Sequence, residues 1–270
     1  MEVPESLIDK KRNYEAGILY QNDCLLCTVL NEQVNKYNQK FLTPLKDLKF
    51  TIAAYKLLDK KLAKCVSKCG SEFWSPIKTL NFSFVENIKD TTIIEIIKNL
   101  FFSKFETLKI SFEISTLGSL SFKNYAKYFL RIMPKATKQL VMYGITISRR
   151  HFEAIFHTIN HLENLEFEVC KIDSYNLRLR EDLDFKVKSL SFLSSGEVSN
   201  SNWLAHPDRF DAILKAFSKC SLKKSLRLVD IKWCYIHQDI ARSMFFKHNL
   251  TDIEVCGLYD KNYKIYSFIL

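Results

Sequence analysis

Four cysteines in the first quarter of the chain are the residues best suited to hold a metal ion. They are Cys24, Cys27, Cys65 and Cys69. Four thiolates at such spacings can bind zinc tetrahedrally, but a zinc-binding Cys-x-x-Cys usually lies in a tight turn. Here Leu25-Leu26 lies between the first two cysteines, within a helical pattern of apolar residues. We therefore predict core thiols, with neither a metal nor another cofactor.

Two histidines are the second candidate for metal chemistry. His157 and His161 are four residues apart, which is the spacing of two ligands on one face of a helix. The glutamate of the metalloprotease motif is missing between them, so we predict two polar surface residues. The sequence also contains neither a glycine-rich phosphate loop nor a Gly-x-Ser-x-Gly elbow. These observations predict a protein that is not an enzyme.

A recurring pattern of apolar residues is the strongest signal in the sequence. In residues 160–173 it consists of Leu162, Leu165, Phe167, Cys170 and Ile172. Side chains alternate along a strand, so Leu165 and Phe167 point to one side and the glutamates between them to the other. Equivalent central positions are 80, 108, 140, 165, 190, 229 and 253, with steps of 24 to 39 residues. Repeats of this length predict stacked units that cover each other's apolar edges.

This frame resembles that of leucine-rich repeat proteins, in particular the ribonuclease-inhibitor-like class with Cys at the turn. The second complete copy consists of Leu226, Val229, Ile231, Cys234 and Ile236. The resemblance covers roughly residues 75–260. It implies an α/β solenoid of about six or seven repeats over residues 73–270, with a curved parallel sheet inside and helices outside. We expect the helices at 91–102, 122–133, 149–160, 208–219 and 238–247.

The amino-terminal region, residues 1–72, carries a different pattern. Apolar residues at helical spacing predict one helix over 9–42 and a second over 45–69, with a break at Thr43-Pro44. Two helices joined by so short a break form a hairpin. Such a hairpin could cap the exposed end of the first repeat, which we favour, or pair with another chain as a coiled coil.

Composition and charge limit the class and location of the protein. Hydrophobic residues make up 47% of the 270 residues and charged residues 26%, which is typical of a folded, soluble chain. The first residues lack the apolar segment of a signal peptide, and no apolar run is long enough to span a membrane. We therefore expect a cytoplasmic or nuclear protein. The net charge of +10 is spread along the chain, which makes nucleic-acid binding an unfavoured interpretation.

Residues that flank the inward strand positions would face a partner. From the middle and late repeats we predict partner contacts by Val141, Tyr143, Glu166, Glu168, Ser191, Leu193, Asp230 and Lys232. Trp203 joins this set because it lies in the polar insertion 194–206 and occupies no repeat position. An aromatic residue beside charges is typical of residues that dominate interface energetics. For Trp203 the alternative, packing against the rim of its own domain, stays open.

Three functions compete for this repeat architecture. The favoured one is a non-enzymatic scaffold or adaptor that binds a protein on the concave strand face. The alternative is the substrate receptor of a ubiquitin ligase, because F-box proteins also place a short helical module before leucine-rich repeats. A third, binding of nucleic acid or anionic membrane by a basic outer surface, predicts a steep salt dependence. The oligomeric state is left open.

Overall fold

A nine-stranded sheet is the frame of the protein. The structure is a computed structural model that describes residues 47–52, 78–84, 104–112, 123, 125–174, 176–183, 185–193, 207–231, 236–259 and 265–269. The strands are β1 (Asp47–Ile52), β2 (Thr79–Phe84), β3 (Phe105–Phe112), β4 (Ala136–Tyr143), β5 (Thr146–Ile147), β6 (His161–Glu168), β7 (Lys171–Ile172), β8 (Lys186–Leu193), β9 (Leu228–Asp230), β10 (Glu254–Tyr259) and β11 (Ile265–Ile269). The helices are α1 (Ala126–Ile132, followed by a 3-10 turn Met133–Lys135), α2 (Arg149–Thr158), α3 (Pro207–Phe217), α4 (Leu222–Ser225) and α5 (Gln238–Lys247).

The strands lie in the sheet in the order in which they occur along the chain. That order is β1-β2-β3-β4-β6-β8-β9-β10-β11, while β5 and β7 form a separate two-stranded sheet. All neighbours in the large sheet are parallel except β10 and β11, which are antiparallel. The chain is therefore a mixed α/β protein with a mostly parallel sheet, as the sequence predicts.

The predicted strand register is confirmed from β2 to β9. Leu140, Leu165 and Leu190 lie side by side in the sheet, and each is fully buried. The register of the last repeat is wrong by two residues, because Val255, and not Ile253, lies beside Val229. The backbone turns at Asn249 and Asp252, which have φ angles of 52° and 59°, and this segment takes up the two additional residues before β10 begins.

The prediction of a second amino-terminal helix is wrong at Asp47–Ile52. These six residues form β1, in which Leu48 lies beside Leu80 and Phe50 beside Phe82. Apolar residues at every second position satisfy a strand, and a strand that extends a parallel sheet gains backbone hydrogen bonds that an isolated helix face does not offer. The predicted helix over 9–42 and the rest of the hairpin lie outside the described residues.

The helices cover the face of the sheet that carries the central apolar residues. The predicted helices at 149–160 and 238–247 are confirmed, although the first ends at Thr158. Those at 122–133 and 208–219 correspond to α1 and α3, and 91–102 lies outside the described residues. Aromatic rings join the two layers. Phe129 of α1 lies 5.8 Å from Phe82 between ring centroids, and Phe152 of α2 lies 5.3 Å from Phe167.

A tight turn after β4 and after β6 leads the chain from the large sheet into the small one. Gly144 and Val169 occupy equivalent positions with φ angles of 68° and 52°, and the Gly144 amide donates to the Glu168 carbonyl at 2.9 Å. A positive φ suits glycine, which has no Cβ, and is strained for a β-branched residue such as valine.

We therefore predict opposite effects of exchanging these two residues. Val169→Gly should raise the free energy of unfolding by up to about 1 kcal/mol, because it removes the strain of the left-handed backbone. Gly144→Val should lower it by more than about 1 kcal/mol. Chemical denaturation of both variants measures the two changes. A destabilised Val169→Gly variant would show that the valine side chain contributes more by packing than it costs in strain.

The cysteine that follows this turn is buried, as the sequence predicts. Cys170 is 5% exposed, and its Sγ donates to the Met142 carbonyl of β4 at 3.1 Å. Burial raises the pKa of the Cys170 thiol to about 12, so the thiol is protonated and slow to react near neutral pH. Cys234, the equivalent residue of the other complete repeat, lies outside the described residues.

Candidate partner-binding face

The second face of the large sheet carries polar side chains, and we call it the open face. Its described members in β3 to β9 are Thr107, Lys109, Ser111, Gln139, Val141, Tyr143, Asn164, Glu166, Glu168, Ser189, Ser191, Leu193, Leu228 and Asp230. These residues alternate with the buried apolar ones, because successive side chains of a strand point to opposite faces. Most of them are half-buried. Neighbouring strands are only about 4.8 Å apart, so each side chain is partly covered by those beside it.

One polar chain crosses three strands of the open face. Gln139 on β4 donates from its amide nitrogen to Glu166 Oε1 on β6 at 2.6 Å. Thr107 on β3 donates to the oxygen of the same Gln139 amide at 3.5 Å. The hydrogen bond from Gln139 fixes one oxygen of Glu166 without neutralising its charge. Glu166 therefore has a preferred orientation.

A second group brings a cation, an aromatic ring and a carboxylate together. Lys109 on β3 extends across β4 so that its Nζ lies 3.5 Å from Glu168 Oε2 on β6. The same nitrogen lies 5.7 Å from the centroid of the Tyr143 ring. A lysine above an aromatic face is held by the ring quadrupole as well as by the carboxylate. The cation of this pair, Lys109, is therefore on β3, a strand from which we predicted no partner contact.

The charge of the open face is opposite to that of the whole chain. Over the described residues of β2 to β10 its acids are Glu166, Glu168, Asp230 and Glu254, and its one cation is Lys109. The chain as a whole carries a formal charge of +10. Lys109 pairs with Glu168, and the half-exposed Glu166 at the centre of the face forms no ion pair with any residue that the structure describes. This location attracts positive charge.

The predicted partner residues do not all reach the surface. Tyr143, Glu166 and Glu168 are half-buried on the open face, and so are Ser191 and Leu193 on β8.

Val141 and Asp230 are exceptions, with exposures of only 4% and 9%. In the sheet Val141 lies between Lys109 and Glu166, and its short side chain is buried. We therefore correct the prediction and no longer expect either residue to contribute contact area. Trp203 and Lys232 lie outside the described residues.

Lys109 and Gln139 are functional candidates that we did not select as partner contacts, although the strand alternation places both on the partner-facing side. Gln139 holds Glu166 and Lys109 holds Glu168, so both set the geometry of the acidic residues. In the sheet, Lys109 lies beside Val141, two residues along β4 from Gln139. In the sequence, nothing distinguishes either residue from the other open-face residues of its strand. The signal that could have singled them out was a lysine and an amide placed diagonally from two glutamates.

The two candidate metal-binding histidines lie in different elements. His157 lies in α2, which ends at Thr158, and His161 is the first residue of β6, so the two do not share a helix face. In the described part of the chain, no group of three His, Cys, Asp or Glu residues is arranged to hold a metal ion. The four cysteines at positions 24, 27, 65 and 69 lie outside the described residues. None of the described helices is long and apolar enough to cross a membrane.

Comparison with known proteins adds no assignment. No protein-family model, no curated protein and no solved structure matches the chain. The open face must therefore be interpreted from its own residues.

Proposed function

We propose that the chain is a leucine-rich-repeat solenoid that serves as a non-enzymatic scaffold and binds a basic protein segment on its open face. The sequential order of the parallel strands, with helices on one side of the sheet, supports this architecture. The observation that carries the functional proposal is the central acidic residue Glu166, which Gln139 orients and which forms no ion pair with a cation of the described residues. Such a carboxylate is prepared to accept from lysine or arginine.

The neighbouring residues suit a segment that lies across the strands. Tyr143 offers an aromatic surface beside the acids, and Leu193 adds a half-exposed apolar side chain on β8. Aromatic and charged residues together are common among those that dominate interface energetics. Lys109 occupies Glu168, so a basic ligand meets Glu166 first and reaches Glu168 only by displacing Lys109.

The test starts from peptides selected for binding to the full chain from a random displayed library. We expect the selected peptides to be rich in lysine and arginine. Glu166→Lys should then weaken binding about tenfold or more, since a hydrogen bond to a charged group contributes about 1.5–3 kcal/mol. Isothermal titration calorimetry measures the loss, and thermal melting verifies that the fold is intact.

Glu181→Lys is the matched control, because it reverses an exposed glutamate in the segment between β7 and β8, away from the open face. It makes the same change in net charge and should alter the affinity less than twofold. If both variants weaken binding equally, the ligand responds to overall charge and the open face is not its site.

The ubiquitin-ligase alternative depends on residues 1–72. Within that region the residues 47–52 form a strand of the sheet, and the others lie outside the described residues. The alternative therefore stays a prediction, and co-purification of the ligase adaptor with residues 1–75 would test it.

A further inference from the structure

A ladder of charged residues runs along the amino ends of the parallel strands. Each member lies two positions before the central apolar residue of its strand. In the order of the strands β2, β3, β4, β6, β8 and β9 they are Lys78, Glu106, Lys138, Glu163, Lys188 and Arg227. The sign of the charge alternates along the first five members, but the sixth, Arg227, is positive like the fifth.

The first three members show how this ladder holds a carboxylate. Lys138 Nζ lies 2.7 Å from one oxygen of Glu106, and Lys78 Nζ lies 2.8 Å from the other. The hydrogen bonds from Lys138 and Lys78 lower the pKa of Glu106 to about 2. One carboxylate between two cations is therefore a firmly ionised arrangement at this edge of the sheet.

The last two members of the ladder, Lys188 and Arg227, are both cations, and no carboxylate of the ladder lies between them. Lys188 on β8 and Arg227, the residue before β9, are neighbours, and the Arg227 amide donates to the Lys188 carbonyl at 2.8 Å. Like charges side by side on adjacent strands are destabilising. Both side chains are exposed, and no acidic side chain of the described residues lies within ion-pair distance of either.

More cations surround this pair. The segment from 212 to 229 contains five basic residues and no acidic one, and these are Lys215, Lys219, Lys223, Lys224 and Arg227. All five are exposed, and Lys223 and Lys224 belong to α4, directly before β9. In the region that the structure describes, none of them forms an ion pair.

We propose that the amino ends of β8 and β9, together with α4, bind an acidic protein segment whose carboxylate lies between Lys188 and Arg227. As at Glu106, two cations would flank one carboxylate, but here they lie at adjacent strands and the partner supplies the acid. Lys223 and Lys224 attract the segment at longer range. This surface is separate from the open face, because its residues lie at the amino ends of the strands and on α4, and none of them is a member of the open face.

The experiment measures fluorescence anisotropy of a labelled peptide of alternating glutamate and serine with the full chain at low salt. An oligothymidylate of equal charge is the second probe. We expect the peptide to bind, and Arg227→Glu to weaken it by about fivefold or more, because reversal replaces an attraction by a repulsion. Arg227→Glu also completes the alternation of signs, so this variant should melt at or above the temperature of the parent. The affinity of Arg227→Gln should lie between that of the parent chain and that of Arg227→Glu.

Lys171→Glu is the control, since it makes the same charge change at an exposed position of β7. It should change the affinity less than twofold. Three results would overturn the proposal: no binding of the peptide, equal losses for Arg227→Glu and Lys171→Glu, or tighter binding of the oligothymidylate with a loss at Arg227 confined to it. The last result would assign the surface to nucleic acid. None of them bears on Glu166, so the two proposals fail separately.

Discussion

Leu165→Asp is expected to lower the free energy of unfolding by more than about 4 kcal/mol, because it places a charge in the apolar core. Leu165 is fully buried and lies between Leu140 and Leu190 in the sheet. Neither neighbour can donate a hydrogen bond to the new carboxylate. Single domains are stable by about 5–15 kcal/mol, so the variant should melt far below the parent or fail to fold. Circular dichroism during heating and urea denaturation measure the loss.

Asn164→Asp is the control for this substitution. It introduces the same residue one position earlier on β6, where the side chain is half-exposed on the open face. Its cost should stay below about 1 kcal/mol, as is usual for surface changes. A Leu165→Asp variant that melts with Asn164→Asp would show that the strand register is wrong.

Phe156→Ala is expected to cost about 3–5 kcal/mol, the second largest effect. Phe156 of α2 is fully buried, and its ring lies 5.1 Å from that of Phe185 and 5.3 Å from that of Phe217 between centroids. The ring therefore joins α2 to α3 and to the segment before β8, and its removal leaves a cavity where two successive units meet. Calorimetry should show a lower melting temperature, with loss of cooperativity if the units separate.

Phe246→Ala provides the comparison. Phe246 lies on α5 and is 55% exposed, so truncation should change stability by less than about 1 kcal/mol. If the two phenylalanine variants lose equal stability, the aromatic contacts of Phe156 do not hold neighbouring units together.

The apolar period of the sequence was sufficient to predict most strands. Leu165 and Leu190 fall on the same sheet column because their spacing repeats and one-residue slips would expose the core face. The apolar period predicted a helix at β1, because Leu48 and Ile52 also fit a helical stripe. The segment is a strand, in which Leu48, Phe50 and Ile52 occupy every second position. The period failed again before β10, since the turn at Asp252 depends on a left-handed backbone that the period does not encode.

The sequence was sufficient to predict which residues lie on the open face, but not which of them contact each other. The sequence places Glu166 and Glu168 on the open face by alternation alone. It does not place Lys109 beside Glu168, because that contact joins residues 59 apart in the chain. The lysine must also span two gaps of about 4.8 Å between strands. The burial of Val141 is likewise not encoded in the alternation, which places this residue on the open face.

A charge-swap cycle tests most directly whether the open face binds a basic segment through Glu166. A selected peptide is prepared with each lysine or arginine in turn replaced by glutamate, and each form is titrated against the parent chain and Glu166→Lys. The account predicts that one replaced peptide binds Glu166→Lys at least about tenfold more tightly than it binds the parent chain, because the pair is restored with reversed signs. The account is contradicted if every peptide loses affinity additively with the change at Glu166.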